Sequence, residues 1–373
     1  MTELLKNCGP LLTIWFDVPQ ETEAERSAPT VKLIRALQPD IMINNRAGGI
    51  QCDYDTPEQK VGGFNLERPW ETCMTICRQW SWKPEDQMKP LQQCLRTLIA
   101  TSGGNGNLLF NVGPMPDGRI EPRQAERLKE MGAWLVRYGE SIYATRGGPF
   151  KPGQWGASTR KGNRIYLHVF RWDGETLSLP AIPAKVASAR ALTGGSVECT
   201  QQEDGLTLRL PQANQDAIDS VIQLEIDRPA LELAPVGLKQ GVSLASGAKA
   251  KASNVFQTKR EYAAEKAIDG DENTRWATDA GTKSAWLELD LHKPATFSRV
   301  LIDECDQFGK RIRRFELQQK DGEEWKTFLE GTEVGSGYTK NFSPVTARFV
   351  RLNIREATEG PTIFEFQLFA PKK

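Results

Sequence analysis

The sequence predicts a multidomain chain in which a parallel-sheet α/β unit precedes two all-β units. Three observations carry this. Over residues 1–145, apolar strand-like runs alternate with segments of helical periodicity, the βα grammar of a parallel sheet or barrel. From 146 to 232 the pattern changes to short strands separated by Gly, Pro or Asp turns, which reads as an antiparallel sandwich. After a Pro-containing linker, Asp227–Gln240, residues 241–373 are strand-like again, several of the runs alternating apolar and polar. A chain of 373 residues has room for two or three domains.

The first unit opens on Leu11–Val18, LLTIWFDV. Its apolar run reads as a buried parallel strand, and it ends on a single carboxylate, Asp17. Glu21–Leu37 reads as a helix whose regular part begins near Ala28, because Pro29 suits a first turn. Ile41–Arg46 is a second strand, followed by a long irregular stretch from Ala47 to Pro69. Trp70–Ile76 is a third strand, Pro84–Thr101 a helix stopped by Gly103-Gly104-Asn105-Gly106, and Asn107–Val112 a fourth strand. Gln124–Tyr143 is a further helix. Four strands are too few to close a (β/α)8 barrel.

The second unit has strand signals at Asn163–Phe170, Thr176–Leu179, Val186–Thr193, Gly205–Pro211 and Asp219–Ile226. The third has them at Trp286–Leu291, Arg299–Ile302, Arg313–Gln319, Lys326–Leu329 and Ala347–Ile354.

Composition narrows the function. Lys plus Arg and Asp plus Glu both number 48, so the formal charge is zero, which argues against a nucleic-acid partner or an anionic membrane surface. Apolar runs fall far short of the roughly 20 residues of a spanning helix, so no membrane span is expected. Residues 1–10 have no basic n-region or long apolar h-region, so no signal peptide is expected there. The seven Cys are scattered without a CxxC pair, and His168 and His292 are the only His; packed thiols are expected rather than a zinc cluster. Ten Trp is a high count. Indole faces suit the apolar C–H face of a pyranose, although Trp is equally a core residue. The glycines at 103, 104 and 106 are not a phosphate loop: no Lys-Ser/Thr follows and the helix precedes them.

Two carboxylates of the first unit stand out. Asp17 ends one apolar strand and Glu71 begins another, each close to a Trp, and Arg46 ends the strand between them. Glycosidic hydrolysis needs such a pair, one carboxylate ionised and one protonated. A guanidinium among them could hold one carboxylate or a sugar hydroxyl. The same residues read equally as a strand-end ion network, with Asp17 capping the next helix.

A specific resemblance bears on that choice. IWFD (14–17), NNR (44–46), PWETCMTI (69–76), SWKP (81–84) and GGNGNLLFNVGPMPDGRI (103–120), in this order and spacing, resemble the C-terminal half of the catalytic barrel of the glycoside hydrolase family 29 α-L-fucosidases. The resemblance implies a partial (β/α)8 TIM-type barrel at 1–145 and the family's C-terminal β-sandwich at 146–232. It implies a retaining exo-α-L-fucosidase with Asp17 as nucleophile and Glu71 as acid/base, preferred to Glu67, and with Trp15 and Arg46 lining the fucose pocket. Retention implies carboxyl groups about 5–5.5 Å apart. Catalysis needs no cofactor. Two departures are visible. Val18 stands where the family has a small residue, and the strands carrying the family's fucose-binding His residues are missing. The chain therefore looks truncated at its N-terminus, and an oligomer or a complementing N-terminal fragment is expected as partner. The alternative is an inactive fragment or a carbohydrate-binding protein.

AIDGDENTRWAT (267–278), WLELDL (286–291), FVRL (349–352) and FEFQLF (364–369) resemble a coagulation factor 5/8 type C (discoidin-like) domain, as in family 32 carbohydrate-binding modules. That implies a β jelly roll, galactose-binding-like, over 241–373, with a structural Ca²⁺ held by Asp269 and Asp271. Trp276 matches a core position, and Tyr262, Phe308 and Tyr338 are the loop candidates for a sugar contact. The expected partner is a fucosylated oligosaccharide or glycoconjugate, and the family resemblance implies a periplasmic or secreted location.

Overall fold

The computed structural model describes all residues except 18–21, 51, 238–242, 271–273, 306–309, 336 and 372–373. The chain divides into two compact units, Met1–Leu238 and Lys239–Lys373.

In the first unit, helix α1 (Thr2–Asn7) precedes strand β1 (Thr13–Ile14), α2 (Ala24–Leu37) and β2 (Met42–Ile43). Strand β3 (Glu71–Thr75), α3 (Leu91–Gly103), β4 (Asn107–Asn111) and α4 (Pro122–Tyr138) follow. β1 pairs parallel with β2, and β3 parallel with β4. The stretch between these pairs, expected to be irregular, joins them. Asn44 bridges to Tyr54, Asp55 to Trp70 and Glu58 to Cys73, all parallel. Asp53 N–H donates to Ile43 O at 2.8 Å, and Cys73 N–H to Pro57 O at 3.0 Å. Residues 54–58 thus bridge β2 to β3 at isolated points within a stretch that forms no regular strand.

Three expectations are corrected here. β1 is far shorter than the expected Leu11–Val18, and of its neighbourhood only Ile14 is buried; Leu12 is 78% exposed. Among the described residues β1 has β2 as its only partner, so it is an edge strand. Helix α2 starts at Ala24 and carries Pro29 inside, with the loss of one backbone hydrogen bond. Helix α3 starts at Leu91, not Pro84: Pro90 occupies its N-cap, and the residue before a proline is disfavoured in the α region. Val18 lies outside the described residues.

Two small cores hold this part. Leu5 of α1 and Ile34 of α2 pack on Ile14, Ile41 and Ile43. Cys94, Leu95 and Ile99 of α3 pack with Ile76, Met131 and Ala157. All seven cysteines are free thiols, five of them buried.

The rest of the unit is antiparallel: β5 (Arg146–Gly147), β6 (Gly156–Lys161), β7 (Arg164–Val169), β8 (Thr176–Pro180), β9 (Val186–Ala191), β10 (Glu198–Gln202), β11 (Gly205–Arg209) and β12 (Ser220–Ile226). Sheet β5-β6-β7-β12-β9 and sheet β10-β11-β8 share one core. Leu167, Ile222 and Leu224 of the first meet Leu177, Leu206 and Leu208 of the second, as strand alternation requires.

The second unit is built on β13 (Lys249–Ala252), β14 (Trp276–Ala277), β15 (Ala285–Glu304), β16 (Ile312–Asp321), β17 (Glu324–Gly331), β18 (Tyr338–Ala357) and β19 (Thr362–Phe369). All pairings are antiparallel, with β15 and β18 running side by side through register shifts at Asp290/Ala295 and Phe297/Arg299. Trp276, Phe297, Phe315 and Phe366 are fully buried in one core.

Candidate active site

The parallel register brings the site residues of the first unit into one row. β1 and β2 pair as Thr13↔Met42 and Ile14↔Ile43, and from the segments that follow them Asp17 and Arg46 meet side chain to side chain. Asn44 bridges to Tyr54, and Arg46, in the turn after it, reaches Thr56. Asp55 lies opposite Trp70, which puts Thr56 beside Glu71, and Glu71 is paired with Asn107. Residues at one level on one face of a sheet are neighbours across strands.

Side-chain contacts follow the row. Arg46 donates through Nη1 to Asp17 Oδ1 at 3.1 Å and through Nε to Thr56 Oγ1 at 2.9 Å. Its Nη2 reaches Glu58 Oε2 at 2.8 Å and Cys73 Sγ at 3.3 Å, one level along the strands. The guanidinium also lies over the Trp15 ring, 4.6 Å from its centroid, in cation–π contact. Trp15 Nε1 donates to Glu71 Oε1 at 3.1 Å, and Asn107 Nδ2 donates to Glu71 Oε2 at 2.5 Å. Arg46 is nearly buried, its side chain 9% exposed, while that of Asp17 is 68% exposed. The row therefore presents an open carboxylate beside a rigid, desolvated cation.

Local sequence explains how each group is held. Asn44 is fully buried and clamps the main chain before Asp17: Phe16 N–H donates to its Oδ1 at 2.9 Å, and its Nδ2 donates to Phe16 O at 2.8 Å. Trp70 fixes the start of β3 and so places Glu71. Its Nε1 donates to Gly104 O, and a Cβ on Gly106 would stand 2.4 Å from the indole. The GGNG run is thus a slot for a ring as well as a helix stop. Thr13 Oγ1 and Tyr54 OH lie 3.0 Å apart, and burial pushes the Tyr54 hydroxyl's pKa up. Burial also pushes the Cys73 thiol up, against the lowering influence of Arg46, so Arg46 meets a neutral thiol there.

Of the residues singled out in the sequence, Asp17, Arg46, Trp15 and Glu71 form one connected network. Glu67 is exposed on a bend before Trp70. Glu58, Asn44 and Asn107 were missed. Glu58 lies in the stretch read as irregular, and Asn44 and Asn107 show no chemistry until the register is known. His168 is fully buried in the antiparallel part, with Nδ1 2.7 Å from Asp219 Oδ2, and His292 is an exposed residue of the second unit.

In the second unit, Asp269 accepts from Thr274 Oγ1 at 2.8 Å and pairs with Lys266 Nζ at 3.0 Å. Asp271 and Phe308 lie outside the described residues. Ca²⁺ takes about six to eight oxygen ligands. Thr274 Oγ1 also lies 3.4 Å from Lys266 O, so a carboxylate, a hydroxyl and a carbonyl oxygen meet there, the donor types Ca²⁺ takes. Trp276 is buried, with Nε1 donating to Asn254 O at 2.9 Å. Tyr338 packs edge-on against Phe315 at 5.2 Å, so it is a strand residue over the core rather than a loop residue. Tyr262 is half-buried between Phe256 and Arg275.

Carboxylates, a guanidinium and an indole in one row across a parallel sheet are the equipment of a glycoside hydrolase. Residues 1–140 match the family model for alpha-L-fucosidase, and residues 249–366 match that for the F5/8 type C domain. The first stretch is thus similar to the alpha-L-fucosidases, and a stretch similar to the F5/8 type C domain follows it. An alpha-L-fucosidase of Branchiostoma floridae is 29% identical over 198 residues, 48% of this chain and 43% of that protein. The plasma alpha-L-fucosidase of Homo sapiens is 34% identical over 146 residues, 35% of this chain and 31% of that one. The chain thus spans less than half the length of either. The structure of alpha-L-fucosidase isoenzyme 1 from Paenibacillus thiaminolyticus matches with TM-score 0.54 and 31% identity, over 61% of this chain and 60% of that one. An alpha-L-fucosidase from Vibrio sp. strain EJY3 shares the fold over 100% of this chain and 69% of its own, with TM-score 0.59 at 19% identity.

Proposed function

We propose that the chain hydrolyses terminal α-L-fucose from glycans with retention of configuration, in a site built on part of a (β/α)8 barrel. The observation that supports this most directly is the Arg46 bridge: one buried guanidinium touches the exposed Asp17 carboxylate and stacks on Trp15, which holds Glu71. In this reading Asp17 attacks the anomeric carbon, the leaving oxygen takes a proton from Glu71, and Glu71 then takes a proton from the water that releases fucose. Arg46 holds Asp17 in line by a charge-assisted hydrogen bond. Trp15 positions both neighbours, its face under Arg46 and its Nε1 edge on Glu71. The F5/8 type C domain serves as a jelly-roll carbohydrate-binding module that raises local substrate concentration. A structural Ca²⁺ in that module, with Asp269 among its oxygen ligands, belongs to the same proposal. A periplasmic or secreted location fits an enzyme acting on glycoconjugates. The edges of β1 and β4 carry no further strand among the described residues, and a second copy or a complementing fragment would pair with them.

One observation favours a second reading. Neither His lies on the row, and both Glu71 oxygens are taken by donors, Trp15 and Asn107. A binding protein or inactive fragment would keep such a satisfied network. Assay of the purified chain on an aryl α-L-fucoside separates the two. The enzyme reading expects turnover that Asp17→Ala abolishes; no turnover, or turnover that survives the substitution, supports the binding reading.

A further inference from the structure

Trp80 is the one Trp among the described residues that is exposed, at 41%. It sits in the turn that leaves the C-terminal end of β3. In a parallel sheet the loops after successive strands emerge at one end, where Asp17 follows β1 and Arg46 follows β2. From Glu71 to Thr75 the strand advances about 13 Å at ~3.3 Å per residue. The turn therefore begins beyond Glu71 along the strand direction.

Its main chain is pinned while its ring is free. Asn111 Nδ2, at the end of β4, donates to Trp80 O at 2.8 Å. Gln79 N–H donates to Asp86 Oδ2 at 2.9 Å, and Lys89 Nζ reaches Cys77 O at 3.2 Å. Gly113 lets the turn lie close, since a Cβ there would stand 2.5 Å from Trp82 N. None of these contacts uses the Trp80 indole. An apolar ring held out to water on a fixed support has lost its main-chain freedom before any ligand arrives. A mobile, solvent-seeking turn would not present a Trp in this way.

We propose that Trp80 is a stacking platform for a pyranose of the aglycone, the glycan to which fucose is attached. The indole face would meet the C–H face of that sugar, so the site would favour fucosylated oligosaccharides over simple fucosides. This deepens the fucosidase reading and rests on it.

The test compares wild type with Trp80→Ala and Trp80→Phe on two substrates. One is α-L-fucosyl fluoride, whose leaving group is a single atom; the other is a fucosylated trisaccharide. Trp80→Ala should lower kcat/KM on the trisaccharide about tenfold through KM, and leave the fluoride within about twofold. Trp80→Phe should recover most of the loss. An equal fall on both substrates, or none on the trisaccharide, overturns the platform. A second arm needs no turnover: in an Asp17→Ala background, calorimetric titration with the matching disaccharide lacking fucose should weaken about tenfold on Trp80→Ala. Sugar sites in the second unit are common to both proteins and cancel in this comparison. If the chain proves inactive, this arm still decides the platform, and an unchanged Kd overturns it.

Discussion

The parallel part of the first unit and the sheets of the second are held by different means. The parallel strands are short, from two to five residues, and expose apolar side chains such as Met42 and Leu109. What aligns them at the site is polar: Asn44 on Phe16, Arg46 on Thr56 and Asp17, Asn107 on Glu71. The second unit runs two strands of 20 residues past each other over a core closed by Trp276, Phe297, Phe315 and Phe366. Packing fixes the module, and side-chain hydrogen bonds fix the row. Chemistry is thus placed where the sheet is least tightly packed, and its geometry depends on buried amides and one guanidinium.

That contrast can be broken by substitution, beginning with the largest effect. Phe366→Ala empties a fully buried site in the second unit and should cost about 4 kcal/mol, read as a lowered melting transition of that unit. Unchanged melting would show that its core is not the source of its stability. Asn44→Ala leaves the Phe16 N–H and C=O without their buried partner. It should cost about 2 kcal/mol in the first unit and lower kcat by roughly ten- to a hundredfold with little change in KM. A pure stability loss with normal kcat would mean that the clamp does not position Asp17.

The charged ladder on the second unit gives a smaller, pH-dependent effect. Two hydrogen bonds from Arg348 hold the Asp290 carboxyl down at about 2, below its ordinary 3.8. A depressed carboxylate contributes stability above its unfolded value, and that contribution is lost as pH falls from about 4 toward 2. After solvent screening it is about 1 kcal/mol, and Arg348→Ala should remove it at neutral pH while flattening this acid limb. An acid limb identical in wild type and variant would assign it elsewhere. Smallest of all, Leu109→Ala on the exposed edge of β4 should change stability by less than about 0.5 kcal/mol. A larger loss, with sedimentation showing dissociation, would reveal that a partner covers that edge.

The sequence made β3 and β4 legible because each is an apolar run with clear stops. It singled out Asp17, Arg46 and Glu71, which the structure links through Trp15. It hid the bridges made by Tyr54, Asp55 and Glu58, which pair through the main chain rather than through a buried face. That omission also hid Glu58, which shares Arg46 with Asp17. Pro90 rather than Pro84 marks the start of α3, since each proline is locally an acceptable helix boundary and tertiary packing chooses between them. The row itself could not be read from spacing. Asp17, Arg46, Thr56, Glu71 and Asn107 become neighbours only through the parallel register.

The central claim is that Asp17 is the nucleophile of a row organised by Arg46. A 2-fluoro-fucosyl fluoride forms a slowly hydrolysed ester with such a carboxylate, and peptide mass spectrometry locates the ester. The account expects one label per chain, on the peptide containing Asp17, lost in Asp17→Ala and slowed in Arg46→Ala. A label on Glu58 or Glu71, or none on a chain that hydrolyses fucosides, would contradict it.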